Sequence, residues 1–256
     1  MPSNPYLSKR CGLPIKRALE LNPNLATFIK NDKLDLGDPG ALILYNKIIL
    51  KDFLDLEFEL PEGYLIPTIC SRWEFLKFIL QFNPNKVLEI GTGASGILAL
   101  MLGRMGVSVT ATEIDKEAIK SARSNIERNK LTETISLLDS HGKIIEDLLP
   151  DLSDYDLILC NPPQYDEKYY QQHQHALRGF IGKYSELVGG RIGHEFILGL
   201  LSEVGKFSNP PPVFFQLTLP QLKIVLENEL NDKEYNFTRI SNRIGTRVRL
   251  YYKVEF

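Results

Sequence analysis

An α/β fold built on a parallel, doubly wound sheet is what this chain predicts, and three stretches predict it. Val87 to Ile90 is an apolar run that feeds a glycine-rich turn, Gly91 to Gly96, and then a helical pattern. Val107 to Ala111 is a second apolar run; it ends just before Glu113, about twenty residues beyond the glycines. Tyr155 to Cys160 is a third, and it ends in Asn161-Pro162-Pro163. Short apolar runs alternating with helical periodicity imply strand–helix units, a parallel sheet and a ligand site at the C-terminal strand edge.

The other elements follow in chain order. Met1 to Pro14 carries three prolines, and the basic pairs Lys9-Arg10 and Lys16-Arg17 flank its end. They are candidate phosphate contacts, with a solvated basic terminus as the other reading. Arg17 to Ile29 reads as a helix interrupted near Pro23. Asp38-Pro39 is a helix start, with proline at the first helical position; Leu42, Tyr45, Ile49 and Phe53 then recur at helical spacing. Residues 1–60 are therefore expected to form a small helical extension, and residues 61–256 the main domain. After Pro67 a helix buries Trp73, Leu76, Phe78, Ile79 and Leu80 and carries Arg72 in its first turn. A structural salt bridge and contact with a carboxylate near the glycine turn are both open for Arg72.

Ser95 to Arg104 and Lys116 to Lys130 are helices, the second with Ala118, Ile119, Ala122 and Ile126 on one face. Ile135 to Leu138 is a strand ending at Asp139-Ser140, and Gly142 to Leu149 a short helix. Tyr165 to Arg191 has no clean periodicity and holds Tyr165, Lys168, Tyr169, Tyr170, His173, His175, Arg178, Lys183 and Arg191. A long irregular segment of this kind is more often functional than accidental. His173-x-His175 lacks the further ligands of a metal site, so no metal is expected. Gly193 to Phe207 is a helix, Val213 to Leu219 a strand and Leu222 to Leu230 a helix. Tyr235–Ile240 and Thr246–Val254 close the chain as an antiparallel hairpin through Asn242 to Gly245. Its Arg239, Arg243, Arg247 and Arg249 are the densest basic cluster, a candidate for RNA phosphate or else a solvated strand face.

The 256 residues are 43% hydrophobic and 24% charged, ordinary for a globular chain with a sizeable core. A net charge of −2 provides no global field for nucleic acid, so any such binding uses local patches. Cys11, Cys70 and Cys160 are odd in number and widely spaced, which suggests a reducing compartment rather than a disulfide framework or a zinc site. No run resembles a signal peptide or a membrane span. A cytoplasmic protein is expected; the sequence is silent on oligomeric state.

The three key stretches describe a nucleotide-type site: a glycine turn open to a ligand, and an acid at the next strand tip for ribose hydroxyls. Gly91-x-Gly93-x-x-Gly96 alone also fits a dinucleotide enzyme, which has no use for Asn161-Pro162-Pro163. That triplet suits methyl transfer to a planar amine. The lone pair of such an amine is delocalised, and acceptors aimed at its two hydrogens favour the tetrahedral nitrogen that attacks a methylsulfonium. The Asn161 side-chain oxygen and the Pro162 carbonyl can supply both, held by Pro163.

The pattern resembles class I S-adenosylmethionine methyltransferases, and within them the adenine-N6 RNA methyltransferases. These are typified by a human enzyme acting on a spliceosomal RNA and a bacterial one acting on large-subunit ribosomal RNA. Leu65 to Arg72, Glu89 to Ser95, Ala111 to Asp115, Asn161 to Pro163, Gly189 to Phe196 and Gly245 to Arg249 fall in family order. The resemblance implies a Rossmann-like, seven-stranded, mostly parallel sheet with a closing hairpin. It implies S-adenosylmethionine as cofactor and structured RNA, ribosomal RNA first, as partner. Arg72 and the turn Gly91-Thr92-Gly93-Ala94 would hold the methionine part, Glu113 and Ile114 the ribose side, and Asp139-Ser140 would border the adenine. Asn161, Pro162 and Pro163 would take the target amine, and Asn161 would also border the cofactor. Gly189, Gly190 and Glu195 match a motif near the substrate loop. One departure stands out: the family has an aromatic residue directly after Asn-Pro-Pro, whereas here Gln164 faces the substrate and stacking passes to Tyr165, Tyr169 or Tyr170. Another amine, such as a protein glutamine or a guanine or cytosine amine, and a silent binding module of the same fold, are the alternatives.

Overall fold

The computed structural model describes residues 6–173, 182–219, 222–245 and 247–256. Helix α1 (Ile15–Leu21) ends where Asn22 turns extended, and the asparagine side chain then accepts from Asn24 N at 3.1 Å to start a 3₁₀ turn, Pro23–Phe28. The interruption expected at Pro23 is thus a change of helix type. A two-stranded hairpin follows, β1 (Ile29–Lys30) and β2 (Lys33–Leu34). Asp38 caps α2 (Pro39–Leu54) by accepting from Gly40 N at 2.8 Å and Ala41 N at 3.2 Å. Helix α3 (Ile69–Leu80) buries Trp73, Phe75 and Leu76 completely.

The main sheet begins with β3 (Lys86–Ile90), then α4 (Ile97–Arg104), β4 (Ser108–Glu113), α5 (Lys116–Arg128), β5 (Ile135–Asp139) and β6 (Leu157–Cys160). Helices α6 (Glu167–His173) and α7 (Tyr184–Leu187) follow, then α8 (Glu195–Val204), β7 (Val213–Leu217), α9 (Lys223–Asp232), β8 (Asn236–Ile244) and β9 (Arg247–Glu255). Seven strands lie in the order β5-β4-β3-β6-β7-β9-β8. Pairs among β5, β4, β3, β6 and β7 are parallel, and β9 pairs antiparallel with both β7 and β8. The order reverses between β3 and β6, the place where such sheets leave a crevice for a ligand.

Alternation along the strands divides the core in two. Val87, Val109, Leu157, Leu159 and Phe214 pack with α3 and α4 on one face; Leu88, Ile90, Ile158, Phe215 and Leu217 pack with α8 on the other. Ile49, Leu50 and Leu54 of α2 join the first cluster. Each fully buried Leu or Phe contributes about 1.5–3 kcal/mol of transfer free energy.

Three elements differ from expectation. Residues Gly142 to Leu149 form turns, not a helix; Ile145 N and Glu146 N instead donate to the Glu203 carboxylate of α8 at 2.8 Å. The hairpin strands run on through Asn242 to Ile244, because Asn242 pairs with Arg249 and Ile244 with Arg247. The segment after Tyr165 is partly regular, with α6 and α7; His175 and Arg178 lie outside the described residues. Among the described residues no helix is long and apolar enough to cross a membrane, and no cluster of metal-ligating side chains forms.

Candidate active site

The glycine turn leaves β3 with Gly91 at φ +70°, and a Cβ there would meet nothing within 4 Å. The turn is braced from β4. Gly93 N donates to Glu113 Oε2 at 2.8 Å, and Ile114 N and Asp115 N donate to Glu113 Oε1 at 2.8 and 3.1 Å. A carboxylate offers about four lone-pair positions, so one acceptor site stays open. Thr92 N donates to Thr112 O at 3.0 Å, and Ser140 N to Glu113 O at 2.8 Å, so the tips of β3, β4 and β5 are tied together. Asp139 stands in register with Glu113, and Ile114 presents an exposed apolar surface beside it. Ala94 and Thr92 are buried.

Beneath the turn lies a residue to which the sequence assigned no role. Glu89 is 1% exposed in the middle of β3 and accepts from Thr92 Oγ1 at 2.9 Å. Burial and the Glu113 carboxylate push its carboxyl up to about 7, against the pull of the Thr92 bond and of Arg72. A glutamate inside an otherwise apolar strand was the available signal.

At the end of β6, Asn161, Pro162, Gln164 and Tyr165 line one cavity of about 420 Å³ together with Arg72 and Arg247. Gln216, fully buried on β7, donates from Nε2 to Asn161 Oδ1 at 2.5 Å. Gln164 points inward where RNA contact was expected. It is 5% exposed, donates to Gln216 O at 2.8 Å and Pro162 O at 3.3 Å, and accepts from Thr218 N at 2.5 Å. Its polar atoms are occupied in clamping the Asn-Pro-Pro turn to β7. Tyr165 instead stacks on Tyr169, with centroids 5.3 Å apart and planes 6° from parallel, and both rings face the cavity. The polypeptide returns to the turn along Leu187 to Gly189: Gln164 N and Tyr165 N both donate to Leu187 O, and Gly189 N to Tyr165 O. A Cβ on Gly189 would collide with Pro163 O, and one on Gly190 with the Glu195 carboxylate, so both glycines allow close approach.

Arg72 has no ion pair among the described residues. Burial and Arg249 lower its guanidinium to about 10, with Glu89 opposing. Arg249 is likewise lowered by burial and by Arg247. The basic cluster of the hairpin is divided by strand alternation: Arg239 and Arg243 face one side, Arg247 and Arg249 the other. Arg239 pairs with Glu227 at 2.8 Å, whereas Arg247 and Arg249 line the cavity. Lys9, Arg10, Lys16 and Arg17 are exposed; Arg17 pairs with Glu20 at 3.1 Å, and Lys9 lies 4.8 Å over the Tyr6 ring.

A sheet of this order, with a glycine turn at its switch point and Asn-Pro-Pro on the adjacent strand, defines a Rossmann-like class I methyltransferase. The RNA methyltransferase family model matches residues 4–184, and the chain belongs to that family. A methyltransferase of Methanocaldococcus jannaschii is 36% identical over 82% of this chain and 84% of its own length. The U6 small nuclear RNA (adenine-(43)-N(6))-methyltransferase of Schizosaccharomyces pombe is 31% identical over 64% of this chain but 47% of its own length. The human METTL16 catalytic domain, solved with a MAT2A 3′UTR hairpin, superposes with a TM-score of 0.85 at 20% identity, covering 100% of this chain and 95% of that one. That likeness is one of fold.

Proposed function

We propose that this enzyme transfers a methyl group from S-adenosylmethionine to the N6 amine of an adenosine in a structured RNA. The single observation that carries the reading is the meeting of Asn161 and Pro162 with the stacked Tyr165–Tyr169 pair in one cavity at the sheet switch point. The adenine-N6 activity of the fission-yeast relative adds to it.

The residues present fit the cofactor. Gly91 leaves open space above the turn. Glu113 keeps a free acceptor position for ribose hydroxyls, and Asp139, Ser140 and Ile114 border it on the adenine side. Arg72 is a guanidinium without an ion-pair partner among the described residues, suited to a carboxylate. When bound, S-adenosylmethionine supplies an electrophilic methyl group on a positively charged sulfur. Asn161 and Pro162 would accept from the two amine hydrogens and favour the tetrahedral nitrogen, while Pro163 restricts the backbone behind them. Tyr165 and Tyr169 offer the face on which an extruded base stacks. The basic residues of an extension spanning residues 1–60, with Arg243 and Arg247 at the hairpin tip, would hold the RNA backbone.

The test is transfer of labelled methyl from the cofactor to total RNA fractionated by size, followed by nucleoside mass spectrometry. N6-methyladenosine in one class, with ribosomal RNA examined first, is the expected result. Label in a different nucleoside, or in protein alone, would overturn the adenine assignment.

A further inference from the structure

Cys11 and Cys70 are 59 residues apart in sequence, yet their Sγ atoms lie 2.7 Å apart, inside van der Waals contact. Both are partly accessible, while Cys160 is 1% exposed in β6. The approach is prepared from both sides. Gly12, at φ +127°, turns the chain at this point, and a Cβ on it would lie 3.7 Å from Cys70 Sγ. Trp73 Nε1 donates to Lys9 O at 3.0 Å just before Cys11, and Tyr45 OH donates to Leu13 O at 2.6 Å just after it. Cys70 is the second residue of the twelve-residue α3, where the helix N-terminus favours a thiolate. Of the two thiols only Cys70 stands at a helix N-terminus, so Cys70 is the nucleophile of the pair.

We propose that Cys11 and Cys70 are a disulfide-forming pair that staples the N-terminal segment to the head of α3. The oxidant is a low-molecular-weight disulfide such as oxidised glutathione. Cys70 thiolate attacks one of its sulfurs and releases one thiolate; Cys11, losing its proton, then attacks the Cys70 sulfur and releases the second. Two protein thiols are oxidised and one small disulfide is reduced to two thiols. The bond fixes Lys9 and Arg10, immediately before Cys11, against the helix that carries Arg72 two residues beyond Cys70. Three cysteines that look unrelated along the sequence thus divide into an accessible pair and one buried thiol.

The test equilibrates the full chain in reduced and oxidised glutathione, then counts thiols in denaturant and maps peptides without reduction. One free thiol, a Cys11–Cys70 cross-linked peptide and a melting temperature that falls by roughly 5–15 °C on reduction are expected for a loop of this length. Cys11→Ser and Cys70→Ser would each show no reductant-dependent shift. Three free thiols at every glutathione ratio, or a glutathione adduct on Cys70 without the cross-link, would overturn the proposal. The wild-type peptide map decides it even if a variant folds poorly.

Discussion

Gln216 Nε2 donates to Asn161 Oδ1 at 2.5 Å, from a side chain with no exposure on the neighbouring strand. The bond aims one of the two carbonyl oxygens assigned to the target amine. Gln216 touches no reacting atom in the proposed reaction, so it is a positioning residue. Gln216→Leu is expected to lower kcat about 10- to 100-fold with cofactor affinity retained, while Asn161→Ala lowers it about 100- to 1,000-fold. Single-turnover methylation with a parallel cofactor titration checks both; equal loss of cofactor binding in either variant would place the defect in folding or in the cofactor site.

Glu113 combines two duties, bracing three backbone amides and keeping an acceptor for the ribose. Glu113→Ala is expected to weaken cofactor binding by about 1–3 kcal/mol. Calorimetric titration with S-adenosylhomocysteine measures it. Unchanged affinity would put the nucleoside elsewhere.

The buried Glu89 predicts a pH dependence of stability. Its carboxyl titrates near 7 in the folded chain and near 4.5 when exposed. The folded state therefore holds the proton more tightly, and stability falls as pH rises from about 4.5 through 7, by about 3 kcal/mol. Glu89→Gln removes that slope and is more stable than wild type at pH 8. Urea melts at pH 5 and pH 8 test this; parallel pH trends for both proteins would refute it.

Strand alternation gives the hairpin arginines different weights. Arg247→Ala is expected to weaken RNA binding and reduce its salt slope by about 1. Arg239→Ala, which breaks only the Glu227 pair, leaves both unchanged. Binding isotherms at several salt concentrations distinguish them.

What the sequence made legible was local. The glycine turn, the Asp38-Pro39 cap and the helix–strand alternation depend on neighbours a few positions apart, and each is visible as a short string. What stayed hidden depends on long-range register. Whether Arg243 and Arg247 share a face follows from which residue of β8 meets which of β9. Gln164 turns inward because Gln216 and Thr218, more than fifty positions away, satisfy its amide. Gly142 to Leu149 has helical composition, but Ile145 and Glu146 give their amides to Glu203 of α8. Glu89 and Gln216 were detectable as polar residues in apolar strands, though their roles were not.

Tyr165 and Val188 pair as an isolated parallel bridge, and Leu187 to Gly189 ties down both ends of everything between them. The chain thus leaves the Asn-Pro-Pro turn and re-enters it through one closed gate. The gate acts together with the Gln164 clamp to β7, so the turn is held from two directions, and Tyr169, which lies inside the closed interval, keeps its place against Tyr165.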